Sequence, residues 1–313
     1  MSRRVVVTGV GGFIGSHLAD ALLARGDDVV GVDCFTPYYD PTAKQAQVPA
    51  GVTLVEADLR DAGLDELVAG AEVVFHQAAQ PGVRLSWSTG FADYVSHNVL
   101  ATQRLLEACA AADPMPRVVY ASSSSVYGQA PAYPTGEDDL PRPHSPYGVT
   151  KLAGEHLCGL YAANRAVPTV SLRYFTVYGP RQRPDMAMHR LVEAALDQTP
   201  FPLFGDGSAR RDFTFVADVV AANLAAAVAP VEPGTVVNVA GGGDTAMREL
   251  VELVGATVGQ PVPVERRPPQ PGDVDRTGGR IDRARALLGW EPVVDLAEGV
   301  AEQVAWHRAR RDR

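Results

Sequence analysis

The chain has 313 residues, 46% of them hydrophobic, and carries 28 basic against 37 acidic side chains, for a formal charge of -9. That length exceeds a usual single core, so a large domain with a smaller partner is expected. The acidic balance argues against nucleic acid or an anionic membrane as a partner, and the most apolar helical stretch, Val216 to Val228, is too short to span a bilayer and contains Asp218 and Asn223.

The chain opens with a β-branched strand, Val5 to Thr8, that runs into Gly9-Val10-Gly11-Gly12-Phe13-Ile14-Gly15 and then a helical pattern from Ser16 to Arg25. In a strand–turn–helix unit of this kind Gly9 makes the tight turn, Gly12 admits a pyrophosphate close to the backbone, and Gly15 lets helix and strand pack closely. The free amides at the helix start, around Phe13 and Ile14, bind the anion. A second strand, Asp28 to Val32, ends in Asp33, where a carboxylate takes the adenosine ribose hydroxyls and repels a 2′-phosphate. NAD is therefore expected over NADP.

Further strands are predicted at Thr53 to Glu56, Val73 to His76, Val118 to Ala121 and Thr169 to Arg173, with helices Phe91 to Ala112 and Tyr147 to Asn164 among them. Asp58-Leu59 after the third strand falls at the adenine, and Ala78-Ala79 after the fourth falls beside the nicotinamide ribose. The alternation predicts an α/β fold, a Rossmann-type doubly wound parallel sheet.

Only two lysines occur, Lys44 and Lys151, and the second completes Tyr147-Gly-Val-Thr-Lys151. On a helix that spacing puts both side chains on one face. A cation at about 4 Å in an effective dielectric near 20 is worth roughly 4 kcal/mol, enough to bring a phenol from pKa ~10 toward neutrality. Tyr147 is thus expected to act as a base.

After Tyr174 the composition shifts toward arginine, proline and glycine, and the alternation breaks up. Residues 1–175 are expected to form the nucleotide-binding domain with 209–240 returning to it, and 176–208 with 241–313 the smaller, sequence-interleaved substrate domain. Arg211 to Val216 and Val236 to Ala240 are the strands expected to return, and Pro261 to Gly272 is expected as a loop over the ligand cleft. Cys34, Cys109 and Cys158 show no CxxC or His-paired spacing and read as thiols in a reducing compartment, so the cytoplasm is expected; no signal peptide is visible. His76, His97, His144, His156 and His189 share no metal spacing, so no metal is expected.

With these residues placed, the chain resembles the extended short-chain dehydrogenase/reductase superfamily in its nucleotide-sugar epimerase branch, over nearly its whole length. The motifs are Thr8 to Gly15, Asp33, Asp58-Leu59, Ala78-Ala79, Ala121 to Gly128 (ASSSSVYG), Tyr147 to Lys151, Arg173 to Pro184 (RYFTVYGPRQRP) and Gly205 to Val216 (GDGSARRDFTFV). The resemblance implies that Tyr147 takes the proton of the sugar 4-hydroxyl while hydride passes from C4 to NAD and returns. It also implies that Lys151 tunes the tyrosine and holds the nicotinamide ribose, that Ser123 bonds the same sugar oxygen, and that Asn98 and Tyr174 belong to the cofactor site.

Two positions after Ser123 bear on the reaction. Dehydrating relatives carry an Asp-Glu pair there and decarboxylating relatives usually keep the glutamate, whereas this chain has Ser124 and Ser125, which cannot supply that acid and base. C4 epimerisation therefore leads. Thr176 and the run Arg181-Gln182-Arg183-Pro184-Asp185-Met186 are similar to the UDP-glucuronate 4-epimerases, with Arg183 as the grip on a C5 carboxylate. Arg84, Arg211 and Arg276 are assigned to the diphosphate or its surroundings. Arg190 also belongs to the expected substrate set, Asp273 is implied at the uridine ribose, and Phe204 near the base. UDP-glucose 4-epimerase, UDP-glucuronate decarboxylase and an idle NAD-binding protein stay open as alternatives, and a homodimer through the two long helices is implied. Gln77 and Gly279-Arg280 depart from the pattern.

Overall fold

The structure, a computed structural model, describes residues 2–61, 63–87, 90–268 and 274–312. Strands β1 (Arg4–Thr8), β2 (Asp28–Asp33), β3 (Thr53–Glu56), β4 (Val73–His76), β5 (Arg117–Ser123) and β6 (Thr169–Tyr174) join a seventh, Thr235–Val239, in one parallel sheet. The order is β3-β2-β1-β4-β5-β6 and then the seventh strand. Along β1, Val5 and Val7 enter one core while Val6 enters the other with Val30 and Val32 of β2, the period of two that a strand imposes. Both faces are covered, which explains the near-continuous runs of valine. β3, at the edge, is exposed throughout.

The helices of the first two-thirds of the chain are α1 (Phe13–Ala24), α2 (Pro41–Gln45), α3 (Leu64–Val68), α4 (Phe91–Tyr94), α5 (Ala101–Ala111), α6 (Pro146–Arg165) and α7 (Ala187–Asp197). α1 and the helix Val216–Ala226 close one face; α3, α5 and α6 close the other. Strand order reverses between β1 and β4, and in such sheets the crevice at the carboxyl ends of those strands takes the ligand.

The helix expected from Phe91 to Ala112 is not continuous. Val95–Leu100 widens into a π-helical turn between α4 and α5. Asn98 lies on that turn, buried, where its Oδ1 accepts from the Gln80 amide at 2.7 Å and its Nδ2 donates to the Gln80 carbonyl and the Thr150 hydroxyl, each at 3.0 Å. The wider turn directs Asn98 at the loop after β4, a use often found for such insertions.

α6 begins as its sequence dictates, with Ser145 accepting from the Gly148 amide at 3.1 Å and Pro146 in the first turn. Gly148 packs so closely on the turn after β5 that a Cβ there would lie 2.5 Å from the Ser125 carbonyl oxygen. This contact draws Tyr147 to the end of β5.

Arg211 to Val216 does not return to the main sheet. Arg210–Arg211 pairs with Thr245–Ala246 and Thr214–Phe215 with Val177–Tyr178, and the chain turns between them at the buried Asp212, whose Oδ2 accepts from the Gly279 amide at 3.1 Å. The other expected return is observed, since Thr235–Val239 pairs with β6. Within the stretch expected as a loop over the cleft, Val264–Arg267 is a strand beside Phe201–Phe204.

Candidate active site

One cavity follows the carboxyl ends of β1, β2, β4 and β5, lined by Gly9, Gly12, Phe13, Ile14 and Gly15 from the turn and by Asp33, Asp58, Leu59, Ala78, Ala79, Tyr147, Lys151 and Tyr174 beyond it. Gly9 has φ +70°, and a Cβ on it would meet the Ala78 backbone nitrogen at 2.8 Å; at Gly15 a Cβ would stand 2.1 Å from the Gly9 carbonyl oxygen. Any side chain at either position would displace the turn. The N-cap of α1 is Gly12, with no side-chain cap, so the first amides of the helix stay open for an anion.

Asp33 accepts from the Gly11 amide at 3.0 Å and the Phe35 amide at 2.9 Å, which fixes the carboxylate at the cavity wall. Burial raises its pKa, against those bonds and the charge of Lys44. Asp58 is gripped by Arg60, with Nε to Oδ1 at 2.9 Å and Nη2 to Oδ2 at 2.6 Å, and that pair brings its carboxyl down to about 2. Such a pocket fits NAD: open amides for the pyrophosphate, a carboxylate for ribose hydroxyls and an acid at the base.

Ser123 ends β5 and its hydroxyl is hydrogen-bonded to the Tyr147 phenol. Tyr94 meets the Tyr147 ring edge-on at 6.2 Å, itself anchored by bonds of 2.7 and 2.8 Å to the carbonyls of Pro81 and Gly82. Tyr147 and Lys151 share the first turns of α6 and the same cavity. Their electrostatics differ from expectation. Burial raises the Tyr147 pKa, and the charge acting against it is Arg183, helped by the Ser123 bond. Lys151 instead donates to the Ala121 carbonyl at 2.8 Å and lies 5.1 Å over the Tyr120 ring. Burial pulls its ammonium down to about 8, while Cys158 and Glu155 hold it up.

Behind this face lies a buried ion pair. Arg173 grips Glu155 with bonds of 2.9 and 2.8 Å, and the Ser122 hydroxyl also donates to Glu155. The pair therefore ties α6, one turn after Lys151, to β6, and the Ser122 bond ties the same turn to the end of β5.

Of the expected substrate residues, Arg183 lines the cavity. Ser124 and Ser125 form the half-buried turn after Ser123, and Thr176 follows β6. The Arg84 guanidinium stacks 4.6 Å over Phe204, joining the segment after β4 to the strand Phe201–Phe204. Arg211 donates to the Arg210 carbonyl at 2.8 Å, and Arg276 to Asp244 at 2.8 Å while lying 5.2 Å from the Tyr133 ring centre. Arg190 is on the exposed side of α7 and does not line the cavity; Asn98 stands behind its wall and acts through Gln80. Asp273 lies outside the described residues.

Several lining residues escaped the sequence analysis: Lys44, Tyr38, Tyr39, Gln80 and His97. Lys44 was the detectable one, because the lysine scarcity that singled out Lys151 applied equally to it. Gln77 also gains an account, since its Nε2 donates to the Tyr174 hydroxyl at 3.1 Å and to the Asn223 side-chain Oδ1 at 2.9 Å. Gly279 is required by space, because a Cβ would come 2.7 Å from both the Ala240 methyl and the Phe175 ring.

Residues 5–240 match the family described as NAD dependent epimerase/dehydratase. A probable UDP-glucuronate 4-epimerase of Rhizobium meliloti is 38% identical, over 97% of this chain and 96% of its own. A UDP-glucose 4-epimerase of Mycolicibacterium smegmatis is 40% identical, over 97% and 98%. The crystal structure of UDP-glucuronic acid 4-epimerase from Bacillus cereus, in complex with UDP-glucuronic acid and NAD, superposes with a TM-score of 0.93 at 39% identity, over 98% of this chain and 99% of that one. With a match across three-quarters of its length and relatives this similar end to end, the chain belongs to the NAD dependent epimerase/dehydratase family.

Proposed function

We propose that this protein is an isomerase that interconverts UDP-glucuronate and UDP-galacturonate by oxidation at C4, rotation of the ketone and reduction of its other face. The observation that carries the uronate reading is Arg183, whose guanidinium lines the same cavity as Tyr147 and whose charge bears on that phenol. A cation so placed suits a C5 carboxylate held by two charge-assisted hydrogen bonds.

NAD, when bound, accepts the C4 hydride and gives it back, so none is consumed. Tyr147 removes the proton of the sugar 4-hydroxyl and later restores it. The Ser123 bond to the phenol fixes that acceptor at the sugar oxygen. Lys151, immobilised by Ala121, presents its ammonium to the ribose side of the cavity. Ser124 and Ser125 offer no group that titrates near neutrality, which leaves elimination of water without an acid and base. The 4-ketone of a uronate is a β-keto acid; Arg183, Thr176 and Ser125 hold its carboxylate out of alignment with the carbonyl π system and so restrain decarboxylation.

The sugar and its diphosphate are assigned to the lobe built from 176–208 and 241–313, with Arg84, Arg211 and Arg276 near the phosphates. A homodimer is assigned to the outer faces of α5 and α6. Val149 and Leu160 of α6 are exposed, as is Leu100 just before α5, and Val149, Ala153, His156 and Leu160 fall on one helical stripe. Three free cysteines accord with a reducing compartment such as the cytoplasm, and no helix among the described residues is long and apolar enough to cross a membrane.

A second reading, UDP-glucose 4-epimerase, is favoured by one observation: Arg183 is already paired with Asp185. The two are separated by incubating the purified protein with a panel of UDP- and dTDP-sugars and identifying products by NMR. UDP-galacturonate formed from UDP-glucuronate supports the first; UDP-galactose from UDP-glucose without uronate turnover supports the second.

A further inference from the structure

Away from the active cavity, His189 and Glu193 lie one turn apart on α7, and His307 reaches them from the C-terminal helix Leu296–Arg311. Both imidazoles are buried, His189 at 7% and His307 at 1% exposure, and their rings meet edge to face with centres 4.5 Å apart. One donor atom from each of the three side chains falls within 4.8 Å of the other two.

The hydrogen bonds fix both tautomers. His189 Nδ1 lies 2.7 Å from the Gln182 carbonyl oxygen, and His307 Nδ1 is bonded to the Glu193 carboxylate. A carbonyl and an ionised carboxylate only accept, so both rings carry their proton on Nδ1 and leave Nε2 as a bare lone pair. On His307 that Nε2 is shielded from solvent and has no hydrogen-bond partner. An orphaned acceptor in a buried place calls for a ligand. Bonds from Nδ1 to a carbonyl and a carboxylate are the outer contacts that orient imidazoles toward a metal.

A small cavity opens between the helices, lined by these residues with Arg310 and Arg311. Both arginines have partners: Arg311 bridges Glu193, itself a member of the cluster, and Asp197 at 2.7 and 2.8 Å, and Arg310 lies 4.8 Å over the Trp306 ring.

We propose that the Nε2 atoms of His189 and His307 bind a borderline transition-metal dication, zinc or nickel, with Glu193 as the carboxylate that orients His307 and water completing the shell. Imidazole pairs suit these ions better than calcium or magnesium, which take oxygen. The ion fastens α7 to the C-terminal helix. It also backs Gln182, the neighbour of Arg183, so the site braces the loop that carries the proposed uronate contact.

The test uses the full chain, dialysed against EDTA and then titrated with zinc chloride by calorimetry and with cobalt chloride by visible absorption. One equivalent should bind, cobalt should give ligand-field bands of a nitrogen-ligated ion, and zinc should raise the melting temperature. His189→Gln and His307→Gln should each weaken zinc by at least about tenfold, an effect as large as loss of an outer contact alone. Exposed His144→Gln should leave it unchanged. His189→Gln keeps the His307–Glu193 bond, so it serves if His307→Gln fails to fold. Absence of zinc binding at millimolar concentration, or equal binding in the wild type and the folded His189 variant, overturns the proposal.

Discussion

The Arg183 guanidinium holds the Asp185 carboxylate in two bonds, Nε to Oδ1 at 3.0 Å and Nη2 to Oδ2 at 3.1 Å, so the cation that acts on the Tyr147 phenol is already paired. Tyr38 donates to the same carboxylate at 3.2 Å. Burial alone would raise the Asp185 pKa, but Arg183 and Tyr38 outweigh it and keep the carboxyl ionised. A substrate carboxylate must therefore compete with an internal one. Asp185→Asn should free the guanidinium and lower KM for UDP-glucuronate by severalfold, up to about tenfold, with KM for UDP-glucose little changed. Steady-state kinetics on both substrates checks this; a rise in both KM values would show that Asp185 positions Arg183 instead.

Tyr147→Phe should abolish turnover while leaving NAD bound. The ring keeps its edge contact with Tyr94, and only the proton acceptor and the Ser123 bond are lost. Cofactor content of the purified variant, read beside its activity, decides the matter, and near-normal turnover would remove Tyr147 from the mechanism.

Lys151→Arg should lower turnover severely despite keeping the charge, because the broader guanidinium cannot fit the pocket between the Ala121 carbonyl and the Tyr120 ring. The wild type should also show an alkaline limb in kcat/KM near pH 8. The sign follows from burial: the ammonium is present below about 8 and lost above it in the folded, free protein. The same depressed pKa means that the cost of burying the charge is fully present below about 8 and is relieved as pH rises toward the unfolded value, ~10.4. A flat profile through pH 9 would contradict the assignment.

Glu155→Gln should destabilise the fold by about 3–5 kcal/mol, since it leaves the buried Arg173 guanidinium without its carboxylate. Asp138→Asn, which breaks the exposed pair with Arg283, should cost no more than about 1 kcal/mol. Denaturant melts of the two variants provide the comparison, and equal small losses would show that the Arg173 pair is no anchor for α6.

What was legible in the sequence was local or periodic. The valine runs gave strands to within one or two residues, and the glycine spacing from Gly9 to Gly15 predicted a turn whose close contacts the structure displays. What was not legible depended on distant partners. The π-turn at Val95–Leu100 follows from Asn98 reaching Gln80 and Thr150, and the break at Asp212 from an amide at Gly279, neither of which helical or strand period encodes. The Tyr147 electrostatics failed for the same reason. Spacing placed Lys151 beside it on α6, but the carbonyl of Ala121 claims the ammonium and Arg183, far along the chain, supplies the acting charge. His189 and His307 come together across two helices, so no sequence spacing could pair them.

The most direct test of the account is the ratio of kcat/KM for UDP-glucuronate to that for UDP-glucose, measured in the wild type and in Arg183→Ala. A charge-assisted contact of about 1.5–3 kcal/mol predicts a wild-type ratio of roughly ten to a hundred in favour of the uronate, which collapses toward unity in the variant. A wild-type ratio below one, or equal losses on both substrates when Arg183 is removed, would contradict it.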